Sequence, residues 1–223
     1  MADLTMGQTV TNRPREARFW DKIADKYAKK PVPNEAVYQE KLAITREFLN
    51  PETDVLEFGC GTGSTALAHA PFVRHIDAID VSERMIEIAR EKAMADGIET
   101  VAFQQGDING FEAGEGAYDA VLGLSVLHLV ADREAVIGKV HRMLKPGGVF
   151  VSSTACLGDG LSVFKVIGPI GHALGILPLL RVFTADELAD SLLRAGFTVE
   201  RFWRPGDGRT AFIVARKPDA SAR

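Results

Sequence analysis

Short apolar runs along the chain alternate with stretches in which apolar residues recur at helical spacing, and that alternation predicts an α/β protein. Val55, Leu56 and Phe58 make one such run, which ends at three alternate glycines, Gly59, Gly61 and Gly63, before Ser64 to Ala70 opens a helix. Ile76 to Asp80 reads as the second strand, Val101 to Phe103 as the third, Ala117 to Val130 as the fourth with its exit, and Val149 to Ser153 as the fifth. Ser82 offers an N-cap to a helix whose core face is expected to carry Ile86, Ala89, Ala93 and Met94 and to stop at Gly97. Asp132 to Leu144 is helical in pattern. The Leu-Lys-Pro-Gly-Gly stretch at 144–148 then turns the chain, because Pro146 cannot continue a helix.

The flanks follow the same rule. Arg15 to Tyr27 and Glu35 to Leu49 have helical character on either side of Lys30-Pro31-Val32-Pro33. Thr184 and Glu187 predict a capping box for a helix that ends near Gly196. Phe197 to Trp203 and Thr210 to Arg216 read as two closing strands, joined through the turn-rich residues 204–208.

The glycine turn is where chemistry enters. Glycines between a strand and a helix let backbone N–H groups approach a ligand and aim a positive helix end at it. A dinucleotide fingerprint needs glycines at positions one, three and six. Counted from Gly59, position six is Ser64, and the third glycine comes early at Gly63. Asp80 ends the next strand about 20 residues further on, where an open α/β nucleotide site places a carboxylate for ribose hydroxyls. Gly106 and Asp107 follow the third strand.

Glu57 with the glycine turn, Asp80, Asp107 and the Leu144–Gly148 turn together resemble the class I S-adenosylmethionine (SAM)-dependent methyltransferases, in particular the methyltransferase type 11 or ubiquinone/menaquinone-methyltransferase-like branch. The resemblance spans residues 51–153. It implies a Rossmann-like, doubly wound, seven-stranded and mostly parallel sheet with the last strand antiparallel and helices on both faces. It implies a cofactor site of Tyr27, Glu57, Gly59, Cys60, Gly61, Thr62, Asp80, Val81, Met85, Asp107, Ile108, Leu124 and Ser125, with Asp107 and Ile108 at the adenine. Trp20, Tyr27 and His128 are the expected acceptor-side residues. The segment Phe19 to Tyr27 resembles the N-terminal helix that closes over SAM in this branch; Phe19 and Ile23 are expected to dock it on the core.

No catalytic residue is readable. Methyl transfer from a sulfonium needs aligned partners in a water-poor pocket more than a fixed triad. His128 is a weak candidate for a general base, with a pocket-lining role the better expectation. Gly123-Leu124-Ser125-Val126 stands where amino-methylating DNA enzymes carry an Asn/Asp-Pro-Pro-aromatic motif.

With 223 residues, a net charge of −4 and a pI near 5.8, the chain has no electrostatic footprint for nucleic acid. Its two cysteines lie outside any metal-ligand spacing, so no metal is expected, and a reducing cytoplasm suits them. The expected organisation is a mobile tail over 1–14 and one domain over 15–217, with a helical cap at 15–50, the SAM core at 51–153 and an insertion at 157–183. A short tail over 218–223 follows. Within the insertion, Val166 to Leu180 has no formal charge but is interrupted by Gly168, Pro169, Gly171, Gly175 and Pro178, too short and broken for a membrane span. A lid over an apolar acceptor, a buried connector, and a peripheral membrane or oligomer contact all remain open for it. The expected activity is methyl transfer to a small apolar or amphipathic molecule. The rivals are a nicotinamide-dependent oxidoreductase on a similar sheet and a SAM-binding protein without catalysis.

Overall fold

A computed structural model describes residues 15–161, 163–206 and 208–219. The expected tail over 1–14, and positions 220–223 of the C-terminal one, lie outside the described residues.

Seven strands form one sheet in the order β3-β2-β1-β4-β5-β7-β6. They are β1 (Asp54–Phe58), β2 (His75–Asp80), β3 (Val101–Gln105), β4 (Tyr118–Leu124), β5 (Leu144–Ala155), β6 (Thr198–Trp203) and β7 (Thr210–Arg216). β1 to β5 run parallel, and β7 inserts antiparallel between β5 and β6. The strand order reverses between β1 and β4, which creates a crevice at their carboxyl ends.

Alternating strand residues serve two cores. Leu56, Phe58, Val121, Phe150 and Ile213 join α5 (Arg133–Met143) and α7 (Ala185–Arg194) on one face. Val55, Leu122, Val151, Phe212 and Val214 join α3 (Ser64–His69) and α4 (Glu83–Ala95) on the other, with Ile44 of α2 (Glu35–Arg46) against them. The doubly wound fold is therefore present with helices on both faces.

Local signals placed most boundaries. Ser82, Asp132 and Thr184 cap α4, α5 and α7 through side-chain oxygens, and Thr184 with Glu187 makes the reciprocal capping box. Three details depart from the sequence pattern. Met94 is 80% exposed while Ile86, Ala89 and Ala93 are buried, because Met94 lies about 100° around the helix from Ala93. β5 begins at Leu144 rather than Val149, since Leu144 pairs with Tyr118 across a register shift. α1 (Arg15–Ala28) docks through Ala24 and Trp20 on Met85 and Ile88 of α4, while Phe19 and Ile23 stay only half-buried.

The charge-free part of the insertion contains a helix, α6 (Phe164–Ala173), with Pro169 inside it. No helix among the described residues is long and apolar enough to cross a membrane.

Candidate functional site

The three glycines of the β1–α3 turn all have positive φ but do different work. A Cβ on Gly59 would meet Val126 Cγ2 at 2.6 Å, and one on Gly63 would meet the Phe103 ring at 2.7 Å and Ala89 at 2.9 Å. Those two glycines exist for close packing. Gly61 faces open space, where a Cβ would meet only the Tyr27 ring, 4.0 Å away. The turn is braced from below by Lys92 of α4, whose Nζ donates to the Thr62 carbonyl at 3.0 Å and hydroxyl at 2.9 Å.

Two buried acids stand beside this open turn. Asp80 at the end of β2 accepts Gly61 N–H at one carboxylate oxygen and Ser82 N–H at the other, both at 2.9 Å. Those bonds hold the turn to β2 while leaving each oxygen a second lone pair. Burial raises the Asp80 pKa; the two N–H bonds oppose that, and the nearby Asp21 charge adds to it. Glu57 in β1 is 2% exposed, and its Oε2 has no hydrogen-bond partner among the described residues. Burial first, and the Asp80 charge second, push the Glu57 carboxyl up to about 8. A desolvated, unpartnered carboxyl next to a second acid is costly in isolation and well placed for a cationic ligand group. Cys60 lies between them with its thiol pushed up by burial, so it is no thiolate nucleophile.

Two helices roof the turn. On α1, the half-exposed Tyr27 lies against Gly61, and burial followed by the Asp80 charge raises its phenol pKa. α1 is fastened by Asp21 Oδ1, which accepts from Ser82 Oγ at 2.7 Å and from Arg84 N–H at 3.2 Å, and by an Arg84–Asp25 ion pair at 2.8 Å. On α2, the Lys41 ammonium donates to Ser153 Oγ at 2.9 Å, and burial lowers its pKa. Burial raises the phenol pKa of Tyr38 on α2, a hydrogen bond with Thr65 opposes that, and the Glu57 charge adds to it, so Tyr38 stands near the same acid.

The remaining sequence-predicted residues, His128 apart, divide into four groups. Leu124 and Ser125 leave β4 at the crevice; Ser125 has φ +57° and donates its N–H to the Ser153 carbonyl. Val81 follows Asp80, and its carbonyl accepts from Gln105 Nε2 at 3.1 Å. Met85 and Trp20 are occupied in the α1–α4 contact. Ile108 is buried in the core with Phe58 and Ile79, and Asp107 heads a local turn by accepting from Asn109 N–H and Nδ2.

His128 lies beyond β4, its carbonyl accepting Arg181 N–H at 2.8 Å, so the insertion is tied to this end of the sheet. Its Nδ1 is buried without a partner among the described residues, and burial pulls its pKa down to about 4.

Asp21, Tyr38, Lys41, Gln105 and Ser153 went unread in the sequence. Each acts through a contact with a distant segment, and none sits in a motif. Among the described residues, no group of three or more His, Cys, Asp or Glu is arranged to hold a metal ion.

A family described as "Methyltransferase domain" matches residues 55–148. An uncharacterized methyltransferase, YcgJ of Bacillus subtilis, is 33% identical over 110 residues, covering 49% of this chain and 44% of that protein. The malonyl-[acyl-carrier protein] O-methyltransferase of Priestia megaterium is 31% identical over 179 residues, covering 78% of this chain and 62% of its own. The chain thus spans between 44% and 62% of the length of these curated relatives. The crystal structure of the Bacillus subtilis YcgJ protein superposes with a TM-score of 0.67 at 17% identity, covering 81% of this chain and 99% of that one, and speaks to the fold alone.

Proposed function

We propose that this chain, which belongs to the class I SAM-dependent methyltransferase family, transfers a methyl group to a small apolar or amphipathic molecule. The observation that carries the proposal is the pair of desolvated acids, Glu57 and Asp80, beside the open face of Gly61. SAM fits those residues: it brings a cationic amino-acid end for the unpartnered Glu57 carboxyl and ribose hydroxyls for the free lone pairs of Asp80. When bound, SAM supplies a methyl group on a positively charged sulfur, open to attack from the side opposite its leaving group.

The residues of the chain do the rest by placement. Gly61 admits the donor close to the backbone, and Tyr27 covers it from α1. Leu124 and Ser125 border the crevice from β4, with Val81, Asp107 and Ile108 on the side we assign to the adenine. Lys41 and Ser153 form a polar pair on the acceptor side of the crevice. His128 is neutral at physiological pH and orients an acceptor better than it removes a proton, because burial weakens its basicity. We take residues 15–217 as one catalytic domain acting in the cytoplasm, with 157–183 as the apolar cover of the acceptor mouth. No metal enters this reading.

Calorimetric titration with SAM, S-adenosylhomocysteine and NADH tests it. Both sulfur ligands should bind in the micromolar range and lose at least tenfold in affinity on Asp80→Ala. Binding of NADH alone would sink the proposal in favour of an oxidoreductase. Release of S-adenosylhomocysteine that depends on an added apolar phenol, quinol or thiol distinguishes an enzyme from a passive SAM-binding protein.

A further inference from the structure

α6 is turned inside out. Val163, Val166, Ile167, Ile170 and Leu174 repeat at helical spacing, and they and Ile176 are between 43% and 68% exposed. Gly168 lies on the far side of the helix and Gly171 at the edge of the row. A Cβ on Gly171 would meet Leu177 Cδ1 at 2.7 Å, and one on Gly168 would meet Leu180 Cβ at 3.8 Å. The helix presses its glycines onto its own following loop and sends its branched aliphatics outward. An aliphatic row that meets no partner among the described residues is costly in water and marks a contact surface.

Charge says what kind of contact. The chain carries −4 overall, yet the residues around this row are basic. Arg15 Nη2 donates to the Ala173 carbonyl at 2.7 Å, which pins the start of α1 to the end of α6. Arg15, Arg18, Lys22 and His172 line a cleft of about 230 Å³ between α1 and this segment, with Glu16 its one acid. Lys165 and Arg181 are exposed at either end of the segment, and no Asp or Glu occurs between Gly160 and Ala185.

We propose that the outward face of α6 and the basic cleft beside it seat the protein on a bilayer containing anionic phospholipid. The aliphatic row enters the acyl boundary, and Arg18 and Lys22 meet the phosphates. Two copies packing through this face would bring like charges together across a two-fold axis. An acidic protein partner would answer the cations but not the exposed aliphatic row. Because Arg181 also ties the segment to His128, docking here places the acceptor mouth against the lipid, a route for the apolar acceptor proposed above. The seating rests on that reading only for the acceptor it delivers.

Sedimentation of the full chain with phosphatidylcholine vesicles, with and without phosphatidylglycerol, tests the inference in the absence of SAM. The protein should pellet with the anionic vesicles and be released by salt. Ile170→Asp should lower partition at least tenfold. Arg18→Glu with Lys22→Glu should lower it by roughly fivefold for each cation removed, while both variants keep wild-type affinity for S-adenosylhomocysteine. No pelleting with anionic vesicles overturns the proposal. So does a dimer in light scattering that Ile170→Asp converts to monomer without any vesicle binding, or saturable binding to an acidic acyl-carrier protein in place of vesicles. Vesicle binding by a chain that ignores SAM would instead remove the methyltransferase reading and leave the seating intact.

Discussion

Ligand binding should expel a proton from Glu57. In the free protein its carboxyl titrates at about 8, so at pH 7 about 0.9 proton is bound. An ammonium group brought against the unpartnered Oε2 favours the ionised form; an opposite charge at contact lowers a carboxyl pKa by about 1–3 units. With a shift of about 2 units the bound value is near 6, and about 0.8 proton leaves at pH 7. Affinity for S-adenosylhomocysteine then rises about sixfold between pH 6.5 and 7.5. Calorimetry at pH 7 in buffers of different ionisation enthalpy counts the protons directly. Glu57→Gln keeps the side-chain shape, removes the proton, and should flatten the pH dependence. The stability sign follows from the same shift. A carboxyl raised from 4.5 to about 8 contributes fully below pH 4.5, and that contribution is lost as pH rises through 8, in all about 5 kcal/mol. The ligand-free Glu57→Gln variant should therefore be the more stable protein at pH 9. Release below about 0.2 proton at pH 7, or equal release by wild type and Glu57→Gln, would refute the assignment of Glu57 to the cationic end of the ligand.

Two further substitutions separate packing from binding. Gly63→Ala forces a Cβ into Phe103 and Ala89 and should cost about 2–4 kcal/mol in chemical denaturation; Gly61→Ala meets no comparable clash and should cost about 1–2 kcal/mol, for its left-handed φ, while weakening ligand binding more than Gly63→Ala does. Asp21→Ala removes the acceptor for Ser82 Oγ and Arg84 N–H; the expected result is a loss of about 1–2 kcal/mol and faster dissociation of S-adenosylhomocysteine in stopped flow, as α1 loosens over the site. Unchanged dissociation would separate α1 from ligand retention.

The strands and the glycine turn were legible because each is written locally, while the parallel order came with the family resemblance. A buried run, a tight turn and a cap need only neighbours in the chain, and the Thr184–Glu187 box shows how far such a signal reaches. Asp80 was legible for the same reason, since its distance from the turn is set by one crossover. Met94 was misassigned because pattern alone does not say where the edge of a buried helical face falls. Phe19 and Ile23 were given the docking role on their helical spacing, whereas α1 approaches α4 closely through the small Ala24.

Local chemistry thus carried the α/β alternation, the capped helices and the two acids at the carboxyl ends of β1 and β2. Neighbouring residues are sufficient to specify each of these. Long-range packing decided which glycine of the turn stays open, because Gly59 and Gly63 are closed off by Val126 and Phe103 from other elements and Gly61 is not. It decided the protonation of Glu57, which depends on burial beneath the turn and on Asp80 from the next strand. It also decided that α6 shows its aliphatic side outward, since the glycines that hold the helix down find their partners, Leu177 and Leu180, only once the loop folds back. Burial, charge coupling and close approach arise between segments far apart in the chain, so they exist only in the folded molecule.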